Sequence, residues 1–210
     1  MAQDPSTDAR SKLLVSLSDL IFDHRIPTAE EVTSLCDVAK LLLAVVDDNA
    51  RCHFAGTVAP NKHVSREVVF MLLADDLAVA RPLLLKSPIL TDTDLLAIAR
   101  SEGEDRLVLI AQRDGLGTEV VEVLADRGTE PVQLAISENG GIRLSPKALE
   151  LLVQTAKTSE QLCRSLVRRQ ELSKVDAEHL VQLITKMLMA RMKATVGAEQ
   201  AAVEPPVEEV

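Results

Sequence analysis

Apolar residues recur three and four positions apart along most of this chain and seldom alternate, which is the helical period rather than the strand period. Leu13, Leu14, Leu17, Leu20 and Ile21 form the first such face, and Pro27 interrupts it. Thr28-Ala-Glu-Glu31 then has the form of a capping box, with Thr28 as N-cap and Glu31 reaching back. The helix it opens carries Val32, Leu35, Val38, Ala39, Leu42, Leu43 and Val46. These two stretches predict an N-terminal helical hairpin over residues 10–49, preceded by a disordered arm at 1–9.

Beyond residue 50 a longer period appears. Ser65, Thr91, Thr118, Ser145 and Ser173 are separated by 26, 27, 27 and 28 residues, and each stands where an N-cap would stand. Eleven residues before them lie Phe54, Ala80, Leu107, Leu134 and Leu162; seven residues after lie Leu72, Ile98, Ala125, Leu152 and Leu180. Every member of both columns is apolar, so each column reads as the inward face of one helix. The connecting stretches carry Pro, Gly or Asn in most cases, which stop helices. The longest of them, Asn139 to Leu144, is the expected flexible point. The last helix is predicted from Val175 to about Ala194, and the acidic, proline-containing stretch 197–210 is expected to be disordered.

The predicted fold is therefore all-α: a right-handed α-solenoid of about five helix-pair repeats over 50–196, HEAT-like or leucine-rich-repeat-variant-like, closed at one end by the hairpin. Composition agrees. Hydrophobic residues make up 47% of the 210, yet there are three Phe and no Trp or Tyr. Leu and Ala favour helices and let them approach closely.

The segment from about Asp75 to Ile184 resembles an uncharacterised helical-repeat family of alphaproteobacteria, the domain of unknown function 2336. The resemblance is carried by Ala74-Asp-Asp-Leu-Ala-Val-Ala-Arg-Pro-Leu-Leu-Leu-Lys-Ser-Pro88, Ile110-Ala-Gln-Arg-Asp-Gly-Leu116, Leu134-Ala-Ile-Ser-Glu-Asn139 and Leu166-Val-Arg-Arg-Gln-Glu-Leu172. The chain is also similar to leucine-rich-repeat-variant and HEAT-like solenoids. Some of the former carry a cysteine cluster for an iron–sulfur centre, and no such cluster is present in this sequence. The resemblance implies no catalytic, cofactor-binding or metal residues.

The net charge is −9, unevenly placed. Residues 1–156 carry 15 basic and 24 acidic side chains, whereas 157–193 carry 8 basic and 4 acidic. That balance argues against a nucleic-acid or anionic-membrane binder. Cys36, Cys52 and Cys163 are dispersed and read as buried free thiols, which fits a reducing cytoplasm. The acidic N-terminus is unlike a signal peptide, and the longest apolar run, Leu41–Val46, is too short to span a bilayer.

Candidate chemistry is sparse. His24, His53, His63 and His179 show no metal-ligand spacing, and no P-loop, GxSxG or HExxH motif occurs. Asp47-Asp48 and Asp75-Asp76 fall at helix junctions and read as caps. Gly115-Leu-Gly117 reads as a turn. The residues singled out for partner binding are the basic cluster Arg164, Arg168 and Arg169, with Arg113 at a related place, and the apolar positions Leu188 and Met192 of the last helix, where Met187 and Met189 cluster as well. The expectation is a non-enzymatic scaffold for protein–protein interaction, in bacterial signalling or regulation, with a homodimer through the last helix as one docking arrangement. A histidine phosphotransfer relay using His179 or His24 is the alternative, and a HEAT-like nucleic-acid-processing protein a more distant one.

Overall fold

A computed structural model describes residues 5–22 and 26–201, which form twelve helices and no strand among the described residues. They are α1 (Pro5–Phe22), α2 (Ala29–Leu42), α3 (Asp48–Val58), α4 (Arg66–Leu73), α5 (Leu77–Lys86) and α6 (Asp92–Ser101). The chain continues through α7 (Glu104–Ala111), α8 (Thr118–Arg127), α9 (Glu130–Glu138), α10 (Pro146–Ala156), α11 (Glu160–Val167) and α12 (Lys174–Ala201).

Packing follows chain order. Among the odd-numbered helices α1 lies on α3, α3 on α5, α5 on α7, α7 on α9 and α9 on α11. Among the even-numbered ones α2 touches α4, α6 touches α8, α8 touches α10 and α10 touches α12. The two sets meet through pairs such as α1 with α2, α4 with α5, α8 with α9 and α11 with α12. Leu, Val and Ala fill the space between the sets, together with the fully buried Phe54. Such small, unbranched or singly branched side chains suit close helix contacts.

The even-numbered helices begin at the predicted caps. The hydroxyls of Ser65, Thr91, Ser145 and Ser173 accept from the backbone N–H of Val68, Asp94, Ala148 and Asp176. Thr28 and Glu31 close the predicted capping box. Thr118 is the exception. It is the first helical residue of α8, and Gly117 is the N-cap. The Gly117 N–H donates to the Asp92 carboxylate at 3.3 Å, and a Cβ at Gly117 would lie 2.2 Å from Asp92 Oδ2. A side chain there would have to push the exposed Asp92 carboxylate aside. Ion pairs also join consecutive even-numbered helices: Lys40 with Glu67, Arg66 with Asp94, and Lys147 with Glu122.

Three expectations need correction. Helix α1 begins at Pro5, inside the stretch expected as an arm, and α12 runs through 197–201, inside the expected tail; residues 1–4 and 202–210 lie outside the described residues. Proline at a first helical position fits that start, because its missing N–H would be unpaired there anyway. Second, Leu134 and Ile98 are only partly buried, while the other members of the two apolar columns are buried. Ile136 replaces Leu134 in the interior. Val58, Leu84 and Leu166 stand seven residues before their caps, as Ile110 does before Gly117, whereas Ile136 stands nine before Ser145. The buried position of α9 thus lies two residues further from its cap than in the other pairs, so a fixed offset lands on the wrong face of α9. Third, that connection is well anchored. Asn139 Nδ2 donates to the carbonyls of Ala111 and Arg113, both at 2.8 Å, and Ile142 and Leu144 are buried. The Gly115 N–H donates to the Gly141 carbonyl, with Gly115 at φ 71°, a conformation glycine adopts without strain.

Candidate functional site

The carbonyls at a helix C-terminus have no partner within the helix. At the ends of α5, α7 and α9, carbonyls in or just beyond the last turn are taken by the side chain that follows the next odd-numbered helix. Arg113, after α7, donates to the carbonyls of Leu84 and Ser87 at the end of α5. Asn139, after α9, does the same for α7. Arg169, after α11, donates to the carbonyls of Asn139 at 2.6 Å and Ile142 at 2.7 Å. Burial pushes the Arg113 guanidinium down from its ordinary value, and it still faces neutral carbonyls, so its role is architectural.

The last of these clasps shapes a groove of about 1060 Å³ between α9 and α11. One wall is Leu134, Ser137 and Glu138 of α9, continued by Ile142 and Arg143 of the connection. The other is Gln161, Arg164 and Ser165 of α11, continued by Arg168 to Glu171. The buried hydroxyls of Ser137 and Ser165 share a hydrogen bond across the α9–α11 contact.

The arginines of this groove are not equivalent. Arg169 has 9% of its side chain exposed and also meets Glu171 at 3.0 Å. Burial pushes the Glu171 carboxyl up, but backbone N–H groups and the Arg169 guanidinium outweigh it and hold it below the usual range. Arg164 pairs with Glu160 one turn away on α11. Arg143 and Arg168 are exposed and form no ion pair or side-chain hydrogen bond with any described residue. Arg169 Nε is buried and also lacks an acceptor.

The five sequence candidates therefore divide. Arg164 and Arg168 are at the groove surface, whereas Arg169 is mostly consumed in holding it together. Leu188 and Met192 lie elsewhere, on α12 about 20 Å and more beyond its first residue along the helix axis. Leu188 is half-buried, and Met192 is exposed, as are Met189 and Val181. Arg143 was missed by the sequence reading. The signal was its place in one of the two longest connections, beside the clasped Ile142.

Other candidates resolve locally. His24 lies outside the described residues. His179 is exposed on α12, and His53 Nε2 is 3.3 Å from Asp19 Oδ1 of α1. The Asp47 carboxylate accepts from the Ala50 N–H at 2.9 Å, and the Asp75 carboxylate meets Arg51 at 2.8 Å. All three cysteines are free; Cys36 and Cys163 are buried and Cys52 is half-buried. Among the described residues no group of three or more His, Cys, Asp or Glu is assembled for a metal, and no helix is long and apolar enough to cross a membrane.

The class defined by these features is an all-helical protein whose helices are clasped in chain order, with a basic groove near one end. Residues 79–210 match the family model described as an uncharacterised protein conserved in bacteria, DUF2336. The match covers more than half of the chain, and the chain belongs to that family. No curated protein and no solved structure matches it.

Proposed function

We propose that this chain is a non-enzymatic interaction protein, an α-solenoid of helical pairs related to the HEAT and leucine-rich-repeat-variant kinds, which docks a protein partner in the α9–α11 groove. The observation that carries the reading is the contrast among the arginines. Arg169 and Arg113 are spent on the framework, whereas Arg143 and Arg168 stand exposed and unpartnered on opposite walls of one groove. A rigid frame presenting free fork donors is suited to recognition. Free thiols fit a reducing compartment, and the cytoplasm is the proposed location.

The test compares tagged wild type with Arg143→Glu/Arg168→Glu, isolated from the bacterium that makes the protein and quantified by mass spectrometry. Both residues are exposed, so the double variant is expected to keep the wild-type helical circular dichroism. A defined set of proteins should be retained by wild type and lost from the variant. Identical sets, or no protein retained above the tag alone, would overturn the reading.

A further inference from the structure

The chemistry of the groove narrows what it takes. Resting on the reading of the groove as a protein-docking site, we propose that its ligand is a short, extended, acidic segment of the partner, whose carboxylates are received by Arg143 and Arg168. Each guanidinium is a planar fork matched to a carboxylate, and the two come from opposite walls, one from the α9–α10 connection and one from the end of α11. Arg169 lines the same groove, and its buried Nε–H has no acceptor. Gln161 and Gln170 supply amides that can pair with a peptide backbone, and Leu134 supplies an apolar contact.

Length and charge select a peptide over a nucleic acid. From Gln161 to Arg168 the groove follows about 10 Å of helix, room for about three extended residues at ~3.3 Å each. Glu138 and Glu171 also line it. A polyphosphate strand, charged at every step, would run onto those carboxylates. A segment with two or three carboxylates can set its charges opposite Arg143 and Arg168 and its uncharged positions opposite Glu138 and Glu171. The negative end of the α9 helix dipole would oppose an anion, but the Arg169 guanidinium, on the carbonyls of Asn139 and Ile142 just beyond that end, offsets it.

The test is fluorescence anisotropy of fluorescein-labelled hexaglutamate with the purified full chain. Hexaglutamine and hexathymidylate serve as comparison probes. Hexaglutamate should bind, hexaglutamine should not, and Arg143→Ala/Arg168→Ala should weaken hexaglutamate by about tenfold or more, one decade being the loss of a single good charge-assisted contact. Arg100→Ala, an exposed arginine on α6, should bind as wild type does. Equal affinity of the double alanine variant and wild type would overturn the proposal, as would hexathymidylate binding as tightly as hexaglutamate. If hexaglutamate fails to bind while Arg143→Glu/Arg168→Glu still loses its protein partners, the ligand class is wrong and the docking site stands. If neither effect appears, both fall.

Discussion

Arg169 and Asn139 are thirty residues apart and are joined by a 2.6 Å hydrogen bond from the guanidinium to the backbone carbonyl. The same guanidinium reaches the Ile142 carbonyl, so it staples the connection after α9 to the end of α11. Arg169→Lys keeps the charge but not the fork, and an ammonium on a flexible stem cannot hold both carbonyls in this geometry. A loss of about 1–2 kcal/mol in urea unfolding is expected, since an acceptor in a part-buried site goes unpaired. An unchanged unfolding midpoint would show that the clasp contributes nothing.

Two glycines in helical surroundings should respond in opposite directions to alanine. A Cβ at Gly128, which ends α8, would lie 2.4 Å from the Leu124 carbonyl oxygen and 2.6 Å from Val132 Cγ1. Neither atom is the end of a flexible side chain. Gly128→Ala should cost about 2 kcal/mol, and at least 1. Gly56 sits inside α3 with nothing within 4 Å of its added Cβ. Gly56→Ala should stabilise by about 0.5–1 kcal/mol, because alanine loses less backbone freedom in a helix. Paired thermal melts would show the opposite shifts.

Asp94 ties α4 to α6 and makes part of the stability acid-sensitive. Burial pushes its carboxyl up, but hydrogen bonds from Arg66 and Thr91 outweigh this and hold it below its ordinary 3.8. Its contribution is therefore complete above the unfolded-state value. On acidification the unfolded chain takes up the proton first, and the contribution is lost as pH falls from about 4 through the lower folded-state value. Asp94→Asn should lower stability by about 1 kcal/mol at neutral pH, as expected for a weakened capping box. The difference from wild type should vanish in strong acid. Urea titrations at neutral and low pH would detect a gap that persists, which would count against this assignment.

Ser137 and Ser165 share one contact with too few protons for all its acceptors. Each hydroxyl lies within hydrogen-bond reach of a carbonyl in its own helix, at 2.8 Å and 2.9 Å, and of the other hydroxyl. Removing either serine leaves the other with one buried partner fewer. Ser137→Ala and Ser165→Ala should each cost about 1 kcal/mol, and the double variant should lose less than their sum. Strict additivity would mean that the hydroxyls act separately.

Helix content was legible because the apolar period and the Ser/Thr caps repeat the same physical solution. Ser65, Thr91, Ser145 and Ser173 are caps for the reason their spacing suggested. The failures were local and geometric. Leu134 was placed in the interior because a constant offset ignores that the buried face of α9 lies two residues further from its cap than in the other pairs. Thr118 was read as a cap because nothing in the sequence reveals that Asp92, 25 residues earlier, already holds the Gly117 N–H. The arginines were the least legible. Arg164, Arg168 and Arg169 look alike in sequence, and only the position of the neighbouring helix end decides that Arg169 faces carbonyls while Arg168 faces solvent.

Where a partner sits is read most directly by a photo-crosslinking residue placed at Gln161, which is exposed within the groove, and in a separate copy at Arg100 on α6. After irradiation in the bacterium, Gln161 should yield a discrete adduct whose crosslinked peptide is acidic, and Arg100 should not. Arg143→Ala/Arg168→Ala in the same copy should abolish the Gln161 adduct. The same adducts from both positions, or an adduct indifferent to the two arginines, would contradict a docking site between α9 and α11.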